Sequence, residues 1–271
     1  MKVLVTGASG FLGRVVCDTL ASVRHEVVAL NLRARDDAWR MDHEASFVVH
    51  LAAIAHRNAS SEELRQVNVD LAVRTARVAA AAGVPFLFLS SVKVHGETSA
   101  LPLREDSPLA PGDPYAESKA RAEDALRAVP GLRLAVLRAP LVYGPGVKAN
   151  FLALLRAVAS GMPLPLASIQ NRRSLVYVGN LADAIVGCLN TEGTFLVSDG
   201  SAVSTPQLCF EIAEALGRPA RLFPFPATLL PGKLTGCLEV DDSAIRRELG
   251  WKPPFTREEG LRATAQWFRG L

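Results

Sequence analysis

Short apolar runs alternate along the chain with longer segments in which apolar residues recur every three or four positions. KVLVT at 2–6 stops at TGASGFLG, and helical spacing follows through Phe11, Leu12, Val15, Val16 and Leu20. EVVALNL fills 26–32; after the polar stretch 33–46 come FVVHLAA, a helix over 61–82 and the run PFLFLSS at 85–91. Asp113 is a good N-cap, Pro114 suits the first helical position, and the Ala/Glu/Arg run to Ala128 has high helix propensity, so a helix opens there before RLAVLRA at 133–139. Short apolar strands separated by helices predict a parallel, doubly wound α/β sheet covered on both faces. Past Tyr143 the pattern changes: elements shorten and Pro-rich segments recur at 162–165, 224–231 and 253–254. The expected organisation is one domain over 1–145, with 174–190 returning to its sheet. A smaller lobe, interleaved with it, comprises 146–173 and 191–271.

Composition narrows the classes. With 271 residues, 49% hydrophobic and 21% charged, the chain can bury a sizeable core, and its formal charge of +3 is too small to argue for nucleic acid. The longest apolar stretch, Val78 to Leu89, contains Gly83 and Pro85 and is too short to span a bilayer. Met1 and Lys2 lead straight into a strand, leaving no room for a secretion signal. Cys17, Cys188, Cys209 and Cys237 are widely spaced and read as reduced thiols of a cytoplasmic protein, and the five histidines lack metal-ligand spacing.

Gly7, Gly10 and Gly13 form a G-x-x-G-x-x-G array between the first strand and the first helix. The first glycine permits the tight turn, the second lets backbone approach a pyrophosphate, and the third allows close helix–strand packing. This predicts a Rossmann-type dinucleotide-binding domain. At the end of the second strand, where an acidic residue would bind both ribose hydroxyls of NAD, stands Asn31, with Arg33 and Arg35 beyond. Neutral and basic groups there favour NADP(H), with NAD the alternative; the arginines also read as an ordinary solvated loop.

Tyr115 and Lys119, four residues apart in DPYAESKA, share a helix face, either as a surface pair or as a proton carrier and its activator. At this point the chain resembles the extended short-chain dehydrogenase/reductase family, in its nucleotide-sugar epimerase, dehydratase and reductase branch. The resemblance rests on TGASGFLG, HLAA (50–53), SSVKVHGE (90–97), PYAESK (114–119), RAPLVYGPG (138–146), RRSLVYVGNLADA (172–184) and ELGWKPPF (248–255), in the family's order.

The resemblance implies a catalytic trio of Ser91, Tyr115 and Lys119. Its cofactor side would be Gly7, Ser9, Gly10, Phe11, Leu12 and Gly13 of the turn, Asn31 and Arg33, Leu51, Ala52 and Ala53, Asn68, Tyr115 and Lys119 themselves, and Pro140, Leu141 and Val142. Ser90 is grouped with that side, although on a strand it points the opposite way from Ser91. Asn150 and Arg173 match positions that contact a nucleotide diphosphate, and Lys93 is a further candidate for substrate contact. The resemblance also implies a homodimer. For the chemistry, a phenol near pKa 10 needs a neighbouring ammonium and the charge of an oxidised nicotinamide to act as a base.

Departures from the family refine the activity. Ser91 is followed by Val92 and Lys93, so the acidic pair of the dehydratases is missing. The stretch between Leu32 and Phe47 is shorter than the family pattern, leaving the adenine end open. The favoured activity is NADP(H)-dependent reduction of the C4 keto group of a nucleotide-linked, UDP-type 4-keto-6-deoxy sugar, in surface-polysaccharide synthesis. An NAD-dependent nucleotide-sugar 4-epimerase is the alternative, and a non-catalytic dinucleotide sensor the remote one.

Overall fold

The computed structural model describes residues 1–32, 45–55 and 59–271. β1 (Lys2–Thr6) leads through the glycine turn into α1 (Phe11–Ser22), followed by β2 (Glu26–Leu30) and β3 (Phe47–His50). One continuous helical stretch then contains α2 (Ser61–Leu64), a π-helical segment Arg65–Asp70 and α3 (Leu71–Ala81). β4 (Phe86–Ser91), a 3-10 turn Val92–His95, α4 (Pro114–Arg127) and β5 (Leu134–Ala139) complete the first half.

These strands are parallel, in the order β2-β1-β3-β4-β5-β8, where β8 is Gly193–Leu196. Alternation along each strand feeds two cores. Val3, Val5, Phe47, Val49, Leu87, Ala135 and Leu137 pack with Val16 and Leu20 of α1 on one face. Leu4, Val48, Phe86, Phe88 and Val136 pack with Ala72, Ala76 and Ala79 of α3 and Ala122 and Leu126 of α4 on the other. A sheet buried on both faces explains why its strands read as unbroken apolar runs. After β1 the chain moves to one side for β2 and then crosses to the other for β3. A crevice therefore opens at the carboxyl ends of β1 and β3, the usual ligand position in such sheets.

The second lobe starts with β6 (Leu141–Tyr143), which pairs with β7 (Leu175–Tyr177), and α5 (Ala149–Ala159) lies between them in sequence. α6 (Val178–Gly187) follows β7 and packs Leu181, Ala184 and Ile185 into the same core as α1. After β8 come α7 (Thr205–Leu216), α8 (Gly232–Thr235), α9 (Ser243–Leu249) and α10 (Arg257–Arg269). The lobe's core gathers Phe151 and Leu155 of α5, Leu208 and Ile212 of α7 and Leu261 and Ala265 of α10.

Two sequence expectations shift here. Within 174–190, the strand pairs with β6 rather than joining the main sheet, while its Val176 and the helix pack into the core shared with α1. The sixth strand of the main sheet comes from 193–196, a segment expected in the smaller lobe. No described helix is long and apolar enough to cross a membrane.

Candidate active site

The glycine turn is built by contact. Gly7 has φ +71°, and a Cβ there would lie 2.8 Å from the Ala52 amide nitrogen and 2.9 Å from the Leu51 carbonyl carbon. A Cβ on Gly13 would meet the Gly7 carbonyl oxygen at 2.1 Å and the Ala8 Cα at 2.7 Å. Both obstacles are backbone and cannot swing away. Gly10 caps α1 without any side-chain hydrogen bond, so the first amides of the helix are presented to the crevice. Those features fit a dinucleotide pyrophosphate. Ser9 is exposed with its carbonyl accepting from Arg14, Phe11 and Leu12 are half-buried, and Phe11 lies against Gly146. Leu51, Ala52 and Ala53 are half-buried and line the crevice beyond β3. Asn31 is exposed just past β2, whereas Arg33 lies outside the described residues.

Asn68, fully buried in the π segment, fixes that crevice wall. Its Oδ1 accepts from the Ile54 amide (2.7 Å), and its Nδ2 donates to the Ile54 carbonyl (3.1 Å) and to Ser118 Oγ (2.8 Å). Ser118 Oγ in turn donates to the Tyr115 carbonyl at 2.7 Å. The wall beyond β3 is thus tied to the helix carrying Tyr115.

Ser91 ends β4, where its Oγ accepts from the Lys93 amide at 3.3 Å and its hydroxyl favours the ionised form of the Tyr115 phenol. Tyr115 is the second residue of α4, whose N-cap Asp113 accepts from the Ala116 amide at 2.8 Å. Lys119 follows one turn later, almost wholly buried, donating to the Leu89 carbonyl at 2.8 Å with its ammonium 4.5 Å from the Phe88 ring centroid. The end of β4 thus carries Ser91, and the first two turns of α4 carry Tyr115 and Lys119.

Burial dominates the electrostatics of Tyr115 and Lys119. Burial pushes Tyr115 up to about 12, Asp113 adds to the rise, and the Ser91 hydroxyl opposes it. Burial likewise pulls the Lys119 amine down to about 7, with Glu123 opposing. Lys119 is buried and Tyr115 half-buried, and in both cases the loss of water penalises the charged form.

Other predicted residues divide. Ser90 is corrected: it points away from Ser91 and donates to Glu123 Oε1 at 2.5 Å. Pro140 is buried, Val142 is half-buried, and Leu141 is 42% exposed on the start of β6. Asn150 is exposed on the first turn of α5. Arg173 is half-buried and spends Nη1 on the carbonyls of Lys233 (3.1 Å) and Gly236 (3.0 Å). Its Nε and Nη2 make no hydrogen bond among the described residues, which leaves donors suited to a diphosphate. Lys93 Nζ binds two carboxylates, Asp113 at 2.7 Å and Glu97 at 2.8 Å.

Three supporting groups escaped the sequence reading. Glu123 is fully buried and pairs with Arg138 at 2.6 Å, and Arg138 Nη1 lies 3.0 Å from His95 Nε2. An arginine inside the apolar run RLAVLRA was the available signal, as was the spacing of Tyr115, Lys119 and Glu123 on one helical face. His50 is fully buried at the end of β3 between Phe86 and Phe88, with Nδ1 3.1 Å from Thr6 Oγ1. Burial, with the Lys119 charge adding, lowers its pKa to about 3.

Residues 3–195 match the NAD dependent epimerase/dehydratase family. The chain belongs to that family. It is 38% identical to UDP-glucose 4-epimerase of Vibrio cholerae, a similarity covering 98% of this chain and 95% of that protein. It is 30% identical to UDP-glucose 4-epimerase of Mycolicibacterium smegmatis, over 99% of each. Among solved structures, Thermus thermophilus UDP-glucose 4-epimerase in complex with NAD superposes with a TM-score of 0.79 at 27% identity, covering 100% of this chain and 99% of that one. As a member of the NAD-dependent epimerase/dehydratase family, the protein is an enzyme.

Proposed function

We propose that the protein is a nucleotide-sugar 4-epimerase working with NAD. The observation that carries this is the near full-length similarity to a UDP-glucose 4-epimerase, in a chain that keeps Ser91 at the end of β4 and Tyr115 and Lys119 on the first turns of α4. Gly7, Gly10 and Gly13 with the α1 amides would hold the pyrophosphate, Leu51 to Ala53 the neighbouring ribose, and Lys119 the nicotinamide ribose. Bound NAD supplies reversible hydride acceptance at C4. Tyr115 takes the proton from the C4 hydroxyl and returns it to the same oxygen once the keto-sugar has presented its other face. Ser91 hydrogen-bonds that oxygen and fixes its direction. Arg173 and Asn150 would grip the diphosphate, leaving the sugar free to turn.

The sequence favoured 4-keto reduction with NADPH on the strength of the neutral and basic residues after β2. One observation keeps that as a second reading: Asn31 rather than a carboxylate follows β2. Full-length likeness to epimerases outweighs it here.

Releasing the co-purified cofactor and incubating the protein with UDP-glucose or UDP-N-acetylglucosamine tests both. Tightly held NAD, and appearance of the C4 epimer by NMR without added cofactor, is the expected result. An empty protein that oxidises NADPH stoichiometrically with a UDP-4-keto-6-deoxy sugar would replace epimerisation by reduction.

A further inference from the structure

Lys93 sits two residues beyond Ser91, and the structure gives its ammonium to two carboxylates. Asp113 Oδ2 accepts at 2.7 Å while Oδ1 of the same carboxylate caps α4 through the Ala116 amide at 2.8 Å. Asp113 therefore lies two residues from Tyr115 at the same helix end, where a negative charge opposes formation of phenolate. The charged and titratable groups around the phenol can be followed element by element. On α4 are Asp113 and Lys119, the latter drawn to the Leu89 carbonyl and facing Glu123 and His50. From the end of β4 comes the Ser91 hydroxyl. Behind Asp113 lie Lys93 and Glu97; Lys233 of α8 reaches Glu97 at 3.4 Å, and Arg173 also faces Glu97. Glu117 and Arg121 pair with each other at 3.6 Å. Lys93 is the cation bonded to Asp113. Burial works against both charges, yet the contact outweighs it: Asp113 is held below the usual carboxylate range and Lys93 above the usual amine range.

We propose that Lys93 is a positioning residue for the proton transfer: clamped between Asp113 and Glu97, it offsets the carboxylate that caps the Tyr115 helix, and so limits how far that carboxylate opposes ionisation of the phenol. It acts through Asp113 rather than by holding the sugar. The proposal rests on Tyr115 as the proton carrier. It assigns this chain's Val-Lys sequence after Ser91 a task in tuning that carrier.

The test uses the NAD-loaded protein and two readouts. One is the phenolate absorbance on pH titration, taken as the difference from Tyr115→Phe; the other is the pH profile of turnover of UDP-glucose. Lys93→Met should move the Tyr115 titration and the acidic limb of the profile upward by about one pH unit, with KM changed less than about twofold. Lys93→Arg should restore both. Asp113→Asn, which keeps a capping side chain, should move both downward on its own and return them towards wild type when combined with Lys93→Met. Because Asp113→Asn does not depend on how Lys93→Met folds, an unmoved titration in Asp113→Asn overturns the proposal. So does a roughly tenfold rise in KM for Lys93→Met with an unmoved profile, since Lys93 would then be holding substrate. Wild-type turnover in Tyr115→Phe would remove the proton carrier itself; an inactive Tyr115→Phe beside an unmoved titration in Lys93→Met would remove only the role of Lys93.

Discussion

Lys119 carries its amine over the Phe88 ring and onto the Leu89 carbonyl, and there burial brings it to about 7 from 10.5. A base whose folded pKa lies below its unfolded value binds fewer protons when folded. Stability therefore rises with pH between about 7 and 10.5, and at neutral pH the residue costs stability. Lys119→Met should consequently abolish turnover and yet stabilise the protein by about 2 kcal/mol at pH 7, after the lost carbonyl bond is discounted. Thermal unfolding at neutral and at alkaline pH checks this, and the gain should shrink at the higher pH. The family resemblance implied the roles of Ser91, Tyr115 and Lys119, and from spacing the shared helix face of Tyr115 and Lys119 was legible. The direction of their pKa shifts was not, because it depends on Phe88, Asp113 and Glu123 as neighbours in space.

Among the elements, the β1–α1 turn and the π segment position the site. Gly13→Ala places a methyl 2.1 Å from the Gly7 carbonyl oxygen, so α1 must move off β1 and its amides off the pyrophosphate position. NAD affinity, measured by calorimetry, should fall by about tenfold or more, with the sheet still folded. Asn68→Ala leaves the Ile54 amide and carbonyl without their partner in a buried place and cuts the tie to Ser118. A loss of about 1–3 kcal/mol in denaturant unfolding is expected, together with weaker cofactor binding. Strands β1, β4 and β5 could be read to within a residue or two, since burial on both faces makes them continuous apolar runs. The π segment could not, because RQVNVD shows no local break in helical pattern; the extra residue in that turn serves Asn68, whose partner lies 14 residues earlier in the chain. β8 was misplaced for a related reason: its four residues, GTFL, are too short to declare a sheet.

For the molecule as a whole, acid stability should report the buried polar groups. His50 has a folded pKa of about 3 against 6.5, so between those values the unfolded chain binds a proton that the folded one refuses. Its contribution is intact above 6.5 and is lost progressively towards 3. Glu123 acts in the same sense: despite its burial, Arg138, Ser90 and Arg127 hold its carboxyl below the usual range, so acidification also removes that pair. The unfolding free energy should therefore decline as pH drops below 6.5, and His50→Gln should flatten the slope in that window by up to about 1.4 kcal/mol per pH unit. An unchanged slope would place the acid sensitivity elsewhere.

Sequence by itself determined the doubly wound fold, the glycine array of the first turn and the shared helix face of Tyr115 and Lys119. Each depends on periodicity or on spacings of a few residues, which covalent geometry turns directly into position. Tertiary structure alone decided that Ser90 serves Glu123, that Lys93 meets Asp113 twenty residues away, and that His50 and Lys119 sit where water cannot reach them. Those facts come from packing between elements distant along the chain, and the charge states on which proton transfer depends follow from that packing.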